Sequence, residues 1–114
     1  MNAAVDPAAK PRSRFSGLRG LHPFLMPYRR VIAAAGLGDH FVHRTGHGIG
    51  TEAHEDPYIV DGNAEPLVAG HAFSIEPGIY LPGRFGLRLE DIVVATADGP
   101  DRLNEAPRDL AVVG

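Results

Sequence analysis

Three histidines and two glutamates, scattered along the chain, are the residues best suited to chemistry. His43, His47 and His54 lie in or just after a glycine-rich stretch, and Glu76 and Glu90 follow in strand-like segments. Imidazole nitrogens and carboxylate oxygens together form the donor set that proteins use for hard-to-borderline divalent metal ions. These residue types therefore indicate a divalent metal site, provided that the fold brings the side chains together.

Strand geometry predicts which of the polar side chains face the same way. Ser74 and Glu76 are two positions apart and therefore lie on one face of their strand. Arg88 and Glu90 have the same spacing in a later strand. If protein covers that face, Glu76 and Glu90 are buried carboxylates, which require a cation or protonation. A metal ion would satisfy both, with Arg88 supporting the site from outside the ligand sphere.

Simpler interpretations stay open for each residue taken alone. Glu90 is compatible with an edge-strand carboxylate that pairs with Arg88 in solvent, and Glu76 with a surface acid before a Pro-Gly turn. The glycines on both sides of His47 disfavour a helix, so His43 and His47 are not the paired ligands of a helical zinc motif. Their spacing also differs from that of a dinucleotide-binding fingerprint.

Composition restricts the class of protein. The chain has 114 residues, 44% of them hydrophobic, which is typical of one small globular domain. It contains no cysteine, which excludes disulfides, thiol catalysis and iron–sulfur ligation. No apolar run is long enough for a signal peptide or a membrane span. We therefore predict a cytoplasmic location and no membrane partner.

Charge is unevenly distributed around the formal net value of −3. Residues 1–30 hold six of the 11 Lys and Arg residues but only one of the 14 acidic residues. A basic head can indicate a nucleic-acid arm or a transit peptide. The segment lacks the interleaved aromatic residues of single-strand binders, so we interpret it as an ordinary solvated segment and predict no nucleic-acid partner.

The helix and strands that must position the candidate residues are predicted from the prolines, glycines and other turn residues that bound them. Residues 1–26 are predicted to be irregular, and residues 27–35 to form a helix with Pro27 in its first turn and Gly36 after its end. Strands are predicted over residues 58–60, 72–80 with a break at Pro77-Gly78, 87–96 and 110–113, with a hairpin turn at 97–100. The fold class is therefore α+β, with a hairpin-rich antiparallel sheet.

Four ordered motifs carry a resemblance to a known family. They are His43-Arg-Thr-Gly-His-Gly-Ile-Gly50, His54-Glu-Asp-Pro57, Phe73-Ser-Ile-Glu-Pro-Gly-Ile-Tyr80 and Gly86-Leu-Arg-Leu-Glu-Asp91. Residues 31–113 thereby resemble the C-terminal half of the catalytic domain of the pita-bread metallopeptidases, peptidase family M24. The resemblance implies a partial pita-bread fold over residues 27–114, preceded by an unmatched N-terminal segment over residues 1–26.

The resemblance also implies roles for individual residues. His47, Glu76 and Glu90 would be metal ligands, with Glu90 bridging two divalent ions such as manganese, cobalt, zinc or iron. His43 and His54 would contact the substrate or the tetrahedral intermediate, and Glu76 would accept a proton from the attacking water. Arg88 would support the site. His43, together with the run from Arg88 to Asp91, favours the Xaa-Pro aminopeptidase and prolidase branch, whose substrates are proline-containing peptides.

One part of the resembled ligand set has no counterpart in the 114 residues. The family has two further aspartate ligands upstream of the histidine, whereas only Asp6 and Asp39 precede His47 here. We therefore expect a truncated member that holds one ion weakly or none and is weak or inactive by itself. A separate N-terminal half or a homodimer is the expected partner. A non-catalytic binding module derived from the peptidase fold is the alternative.

Overall fold

The computed structural model describes residues 22–114, with side chains from residue 27 onward. An irregular segment is predicted at residues 1–26. For residues 1–21 that prediction lies outside the described residues. It is wrong for residues 22–26, which belong to helix α1, His22–Ala34. No helix within the described part of the chain is long and apolar enough to cross a membrane.

Helix α1 starts earlier than the sequence predicts. Its 13 residues include Pro27 in the interior, whereas Pro23 occupies the first turn. Proline is favoured in the first turn of a helix, so Pro23 and Pro27, four positions apart, indicate two possible starts for α1. The prediction that α1 starts at Pro27 is wrong. The end is as predicted, since Gly36 follows with a φ of +75°, a conformation that favours glycine. A short 3₁₀ helix, Gly38–His40, comes next.

An antiparallel sheet of five strands forms the body of the structure. In spatial order its strands are β2 (Glu55–Ile59), β1 (Gly46–Gly48), β3 (Ala72–Ile75), β6 (Asp91–Thr96) and β7 (Gly99–Arg102). Strands β4 (Gly78–Leu81) and β5 (Phe85–Arg88) pair separately as a two-stranded sheet. The α+β class predicted from the sequence is confirmed.

One register joins the two sheets into a single long hairpin. Strand β3 pairs with β6 from Ala72↔Val94 to Ile75↔Asp91, and β4 pairs with β5 from Gly78↔Arg88 to Leu81↔Phe85. The residue numbers of every pair add up to the same value, so no residue is inserted between the two ladders. A turn with Pro82 and Gly83 at its centre reverses the chain, and Gly83 has the positive φ that a type II turn requires.

The predicted strands are largely present, but two details differ. The segment 72–80 breaks at Pro77 as predicted, while the segment 87–96 breaks as well, at residues 89–90. The turn at 97–100 does form the β6–β7 hairpin. The last predicted strand is wrong, because residues 110–113 pair with no described strand and Leu110 and Val112 are almost fully exposed.

The hydrophobic core lies on one face of the five-stranded sheet and is small. Its buried members are Ile59, Leu67, Phe73, Ile75, Val93 and Ala95. Phe73 and Val93 are direct partners in the β3–β6 ladder. Because residues alternate between the faces of a strand, Ser74, which lies between Phe73 and Ile75, points away from them. The core thereby fixes the direction in which the polar side chains of β3 project.

Candidate metal centre

Strand β1 consists of Gly46, His47 and Gly48, so His47 provides its only side chain. The strand passes between β2 and β3, and His47 is only 6% exposed. A Cβ atom on Gly46 would collide with the carbonyl oxygen of Ser74, and one on Gly48 with the carbonyl oxygen of Asp56. Both glycines are therefore required by the close approach of neighbouring backbone. They allow an imidazole to be held between two strands.

Two hydrogen bonds fix the orientation of His47. Its backbone N–H donates to Ser74 Oγ over 3.0 Å, and its Nδ1 lies 2.9 Å from the carbonyl oxygen of Gly48. A carbonyl oxygen can only accept, so the proton is on Nδ1. In the neutral ring, Nε2 therefore presents its lone pair. This is the usual arrangement of a metal-binding histidine, with one nitrogen bonded to backbone and the other free for a ligand.

Glu76 faces that free nitrogen. Its Oε1 lies 3.2 Å from His47 Nε2, and the residue is only 7% exposed. The Ser74 hydroxyl donates to the same carboxylate oxygen over 3.1 Å, as expected for residues two apart on a strand. The backbone N–H of Glu76 donates to the carbonyl of Thr45. Two acceptors at this separation repel each other unless a proton or a cation lies between them.

Glu90 completes the cluster from the other side of the long hairpin. The register on both sides of the break places Glu76 opposite Glu90, between the pairs Ile75↔Asp91 and Gly78↔Arg88. One ligand atom from each of His47, Glu76 and Glu90 lies within 4.8 Å of the others. The condition for burial of both carboxylates, a face covered by protein, is met for Glu76 but not for Glu90, whose side chain is 41% exposed.

Arg88 lies beside both carboxylates. Its Nη1 is 3.3 Å from Glu76 Oε2, and its Nε is 4.0 Å from Glu90 Oε2. Like charges directly opposite each other in a sheet are destabilising, so the guanidinium offsets part of the repulsion between the two glutamates. One positive charge balances only one of the two carboxylates. The arrangement therefore retains an excess negative charge beside the lone pair of His47.

The donor set fits a divalent ion. Ligand bonds of about 2.0–2.2 Å put neighbouring ligand atoms roughly 3.0–3.5 Å apart, and the separation of His47 Nε2 and Glu76 Oε1 is 3.2 Å. One nitrogen and carboxylate oxygens suit zinc, manganese, iron or cobalt. Glu90, being exposed, is free to adjust its rotamer toward the same point. Asp39 is not part of this cluster; it is exposed in the 3₁₀ helix.

His43 and His54, also predicted for the site, line one open cavity with Glu76 and Arg88, of about 520 Å³. The His54 ring lies over that of His47, with centroids 4.2 Å apart. His43 Nδ1 donates to the carbonyl of Arg44, which leaves Nε2 to accept from the Tyr80 hydroxyl at 3.1 Å. The structure thus brings together every site residue that the sequence suggested. Their catalytic and metal-binding roles stay predictions.

Sequence reasoning missed two polar residues of the cavity wall, Arg44 and Tyr58, and a third, Tyr80, that contacts the wall residue His43. Tyr80 bonds to His43, whereas Arg44 and Tyr58 line the wall, with the Arg44 guanidinium 4.7 Å from the centroid of the Tyr58 ring. A signal for Tyr80 was present, since it has the same strand parity as Glu76 across the Pro-Gly break. Nothing local in the sequence indicates that Arg44 lies over Tyr58, because the contact depends on the pairing of β1 with β2.

A second set of residues fastens the segment that carries Glu90. Asn104 Oδ1 accepts from the backbone N–H of Ile92 over 2.7 Å, and its Nδ2 donates to Asp91 Oδ1 and to the carbonyl of Glu90. Arg108 also bonds to Asp91. Burial by itself raises the pKa of Asp91, but the hydrogen bonds from Arg108 and Asn104 and the charges of Arg108 and Arg102 outweigh it, so this pKa lies below its ordinary value. Asp91 is therefore a charged anchor beside the ligand cluster.

One buried group near the cluster has no partner. Thr45 is fully buried, and its Oγ1 makes no hydrogen bond within the described part of the chain. Its backbone, in contrast, is well bonded, since its N–H donates to Ile59 and its carbonyl accepts from Glu76. An unpaired buried hydroxyl costs stability.

Comparison with known proteins gives consistent matches. The sequence model described as "Metallopeptidase family M24" matches residues 26–97. A probable dipeptidase PepE from Mycobacterium tuberculosis is 62% identical over 85 residues, which cover 75% of this chain and 23% of that protein. A Xaa-Pro dipeptidase from Lactobacillus delbrueckii is 47% identical over 111 residues, which cover 97% of this chain and 28% of that protein.

A solved structure agrees with the sequence matches. The crystal structure of dipeptidase PepE from Mycobacterium ulcerans superposes with a TM-score of 0.76 and 58% identity, over 80% of this chain and 24% of that one. The present chain thus spans about a quarter of the length of the proteins it matches.

Proposed function

The chain belongs to metallopeptidase family M24, and from this premise we propose that it forms the metal-binding and substrate-contacting part of a peptidase that hydrolyses Xaa-Pro peptides. The described residues form a fragment of the pita-bread fold. The family assignment predicted from four motifs is thereby confirmed. The chain spans about a quarter of the length of these relatives, and the proposal of Xaa-Pro hydrolysis by the whole protein rests on its likeness to the Lactobacillus Xaa-Pro dipeptidase.

One observation supports this function above the others. The Nδ1 atom of His47 bonds to backbone, which leaves its Nε2 atom free. This Nε2 atom lies 3.2 Å from the buried carboxylate of Glu76, and Glu90 lies close to both. His47, Glu76 and Glu90 would hold the metal. When bound, divalent metal ions lower the pKa of a water ligand and polarise the scissile carbonyl. We propose manganese as the first ion to test.

The chain's own residues have separate tasks in this proposal. Glu76 accepts the proton of the attacking water, since its carboxylate lies at the cavity wall and is held by Ser74 and Arg88. His43 and His54 lie on the same cavity and stabilise the oxyanion that develops on the scissile carbonyl. Arg88 restrains Glu76 and limits its repulsion from Glu90.

The ligand count sets the activity expected of the 114 residues alone. They supply three of the five ligands that the family resemblance implies, because only Asp6 and Asp39 precede His47. His47, Glu76 and Glu90 would hold one ion weakly, and the two-ion chemistry that the resemblance implies would need the remaining two ligands. We therefore propose that hydrolysis requires further polypeptide, an N-terminal half that supplies the two aspartates; the expected homodimer stays a prediction. The predicted cytoplasmic location stays a prediction.

A chimaeric enzyme tests the peptidase function. The 111 matching residues of the Lactobacillus delbrueckii Xaa-Pro dipeptidase would be replaced by those of this chain, which are 47% identical. We expect Mn²⁺-dependent hydrolysis of Ala-Pro within about tenfold of the parent, and a loss of at least about a thousandfold in Glu76→Gln. Robust hydrolysis by the 114 residues alone would refute the three-ligand account. A folded but inactive chimaera would refute the peptidase proposal and favour the binding module.

A further inference from the structure

The two faces of the β4–β5 hairpin differ in chemistry. Tyr80 and Arg88 face the cavity of the candidate metal centre, where they contact His43 and Glu76. Because side chains alternate between the two faces of a strand, residues of the other parity point away from this cavity. They form two direct cross-strand pairs, Ile79↔Leu87 and Leu81↔Phe85. The side of the hairpin that points away from the metal centre is therefore apolar.

Helix α1 extends this apolar side. Val31 and Ile32 come three and four positions after Tyr28, which places the three side chains on one side of the helix. They face the hairpin across a groove of about 220 Å³, and none of the side chains that line the groove is charged. We use the name apolar face for the two cross-strand pairs, Leu89 and these three helix residues.

Much of the apolar face is open to solvent. Val31, Phe85 and Leu87 are each more than half exposed, and Leu89 is almost half exposed. At these fractions the apolar face exposes about 500 Å² of side-chain surface, a patch size that often marks an interaction site on a soluble protein. A two-stranded hairpin is also marginally stable unless another element packs against it. A partner on this face would therefore stabilise the hairpin that holds Arg88.

We infer that the apolar face is the contact surface of a homodimer, in which two copies place the same face together about a two-fold axis. A face without charged side chains at its centre meets its own copy without repulsion between like charges, whereas a charged partner would find no opposite charge there. Arg84, beside the Phe85 ring, lies at the rim, where water still solvates its charge.

The area of the apolar face is sufficient for such a contact. Two copies would bury roughly 1,000 Å² in total, which is about the minimum for a specific protein interface. The cavity of the candidate metal centre lies on the opposite side of each hairpin and stays open in the dimer. No residue of the apolar face belongs to the ligand cluster, so the dimer does not depend on the proposed peptidase function.

Sedimentation equilibrium of the 114-residue chain in EDTA tests the dimer. We expect a dimerisation Kd on the order of 10 µM, since the buried area is at the lower end of specific interfaces. Leu87→Ser should raise this Kd at least about tenfold, because it places a hydroxyl at the centre of the contact. Leu110→Ser is the matched control: Leu110 is almost fully exposed but lies outside the apolar face, so this change should leave the Kd unaltered.

Cross-linking gives a second measurement that keeps the face apolar. The chain has no cysteine, so Leu87→Cys introduces the only thiol, and cysteine is itself a small apolar residue. A short bismaleimide should link two copies of this variant at least about ten times faster than two copies of Val68→Cys, because the dimer holds its two thiols close together. Val68 is comparably exposed and lies outside the apolar face.

The outcomes decide the role of the apolar face without reference to Mn²⁺. Loss of the dimer in Leu87→Ser but not in Leu110→Ser, with an unchanged circular dichroism spectrum, supports it. A chain that is monomeric at every concentration, or a dimer that the two serine variants weaken equally, overturns it. If Leu87→Ser fails to fold, the cysteine variants decide, and equal cross-linking of Leu87→Cys and Val68→Cys overturns the homodimer contact.

Discussion

Glu76 lies opposite Glu90 at the point where one long hairpin changes from the β3–β6 ladder to the β4–β5 ladder. Two carboxylates in cross-strand positions repel each other. The ladder of backbone hydrogen bonds is interrupted at this pair. Pro77, the residue after Glu76, has no backbone N–H to donate to the opposite strand. A repulsive pair kept beside the free nitrogen of His47 is readily explained if a cation normally lies among the three residues.

Substitution of Arg88 separates charge balance from metal binding. Arg88→Gln should lower the free energy of unfolding of the metal-free chain by up to about 1 kcal/mol, since its ion pairs are half exposed. The same change should increase the stabilisation by Mn²⁺, because a competing positive charge is removed. Urea unfolding with EDTA and with Mn²⁺ measures both. Arg102→Gln is the matched control, being similarly exposed beside Asp91, and an identical Mn²⁺ response in both variants would contradict the prediction.

Asn104 should affect both stability and the position of Glu90. Asn104→Ala removes the bonds to Ile92 N–H and Asp91 and should cost about 1–2 kcal/mol of unfolding free energy. It should also weaken Mn²⁺ binding several-fold, since the segment that carries Glu90 loses its restraint.

The control for Asn104 is Asn63→Ala. Asn63 likewise bonds to two backbone groups, those of Tyr58 and Glu65, but makes no contact with the ligand cluster. Its substitution should cost a similar free energy and leave Mn²⁺ affinity unchanged. Equal losses of affinity in the two variants would mean that Asn104 acts through general destabilisation alone.

Thr45 provides a test of the packing around β1. Thr45→Val replaces the unpaired Oγ1 by a methyl group of similar size and should raise the free energy of unfolding by about 1 kcal/mol. Thermal or urea denaturation measures the change. Ser74→Ala is the opposite case, since that hydroxyl bonds to both His47 N–H and Glu76, and it should be destabilising. A destabilised Thr45→Val variant would show that the hydroxyl has a partner in solution.

Local signals in the sequence predict much of the site. The spacing of two between Ser74 and Glu76 correctly places them on one face, and the glycines around His47 correctly exclude a helix. The Pro-Gly break after Glu76 and the turn before Gly99 are also confirmed. These features depend on backbone preferences of a few consecutive residues, which a sequence expresses directly.

Other features depend on the pairing of strands that are far apart in the sequence, and a local sequence pattern could not predict them. The exposure of Glu90 follows from the break in the long hairpin at residues 89–90, where the sequence reads as one continuous strand. The stacking of Arg44 on Tyr58 requires β1 to pair with β2. The predicted start of helix α1 at Pro27 is wrong because Pro23 and Pro27 give the same local signal.

A titration of the chain with Mn²⁺, followed by electron paramagnetic resonance of the free ion, tests the metal centre most directly. The unsubstituted chain should bind one ion saturably, and Glu90→Gln should weaken binding at least about tenfold without unfolding the chain, since Glu90 is exposed. Glu65→Gln, another exposed glutamate outside the cluster, should bind like the unsubstituted chain. Absence of saturable binding, or equal affinity in the Glu90→Gln and Glu65→Gln variants, would contradict a metal site at His47, Glu76 and Glu90.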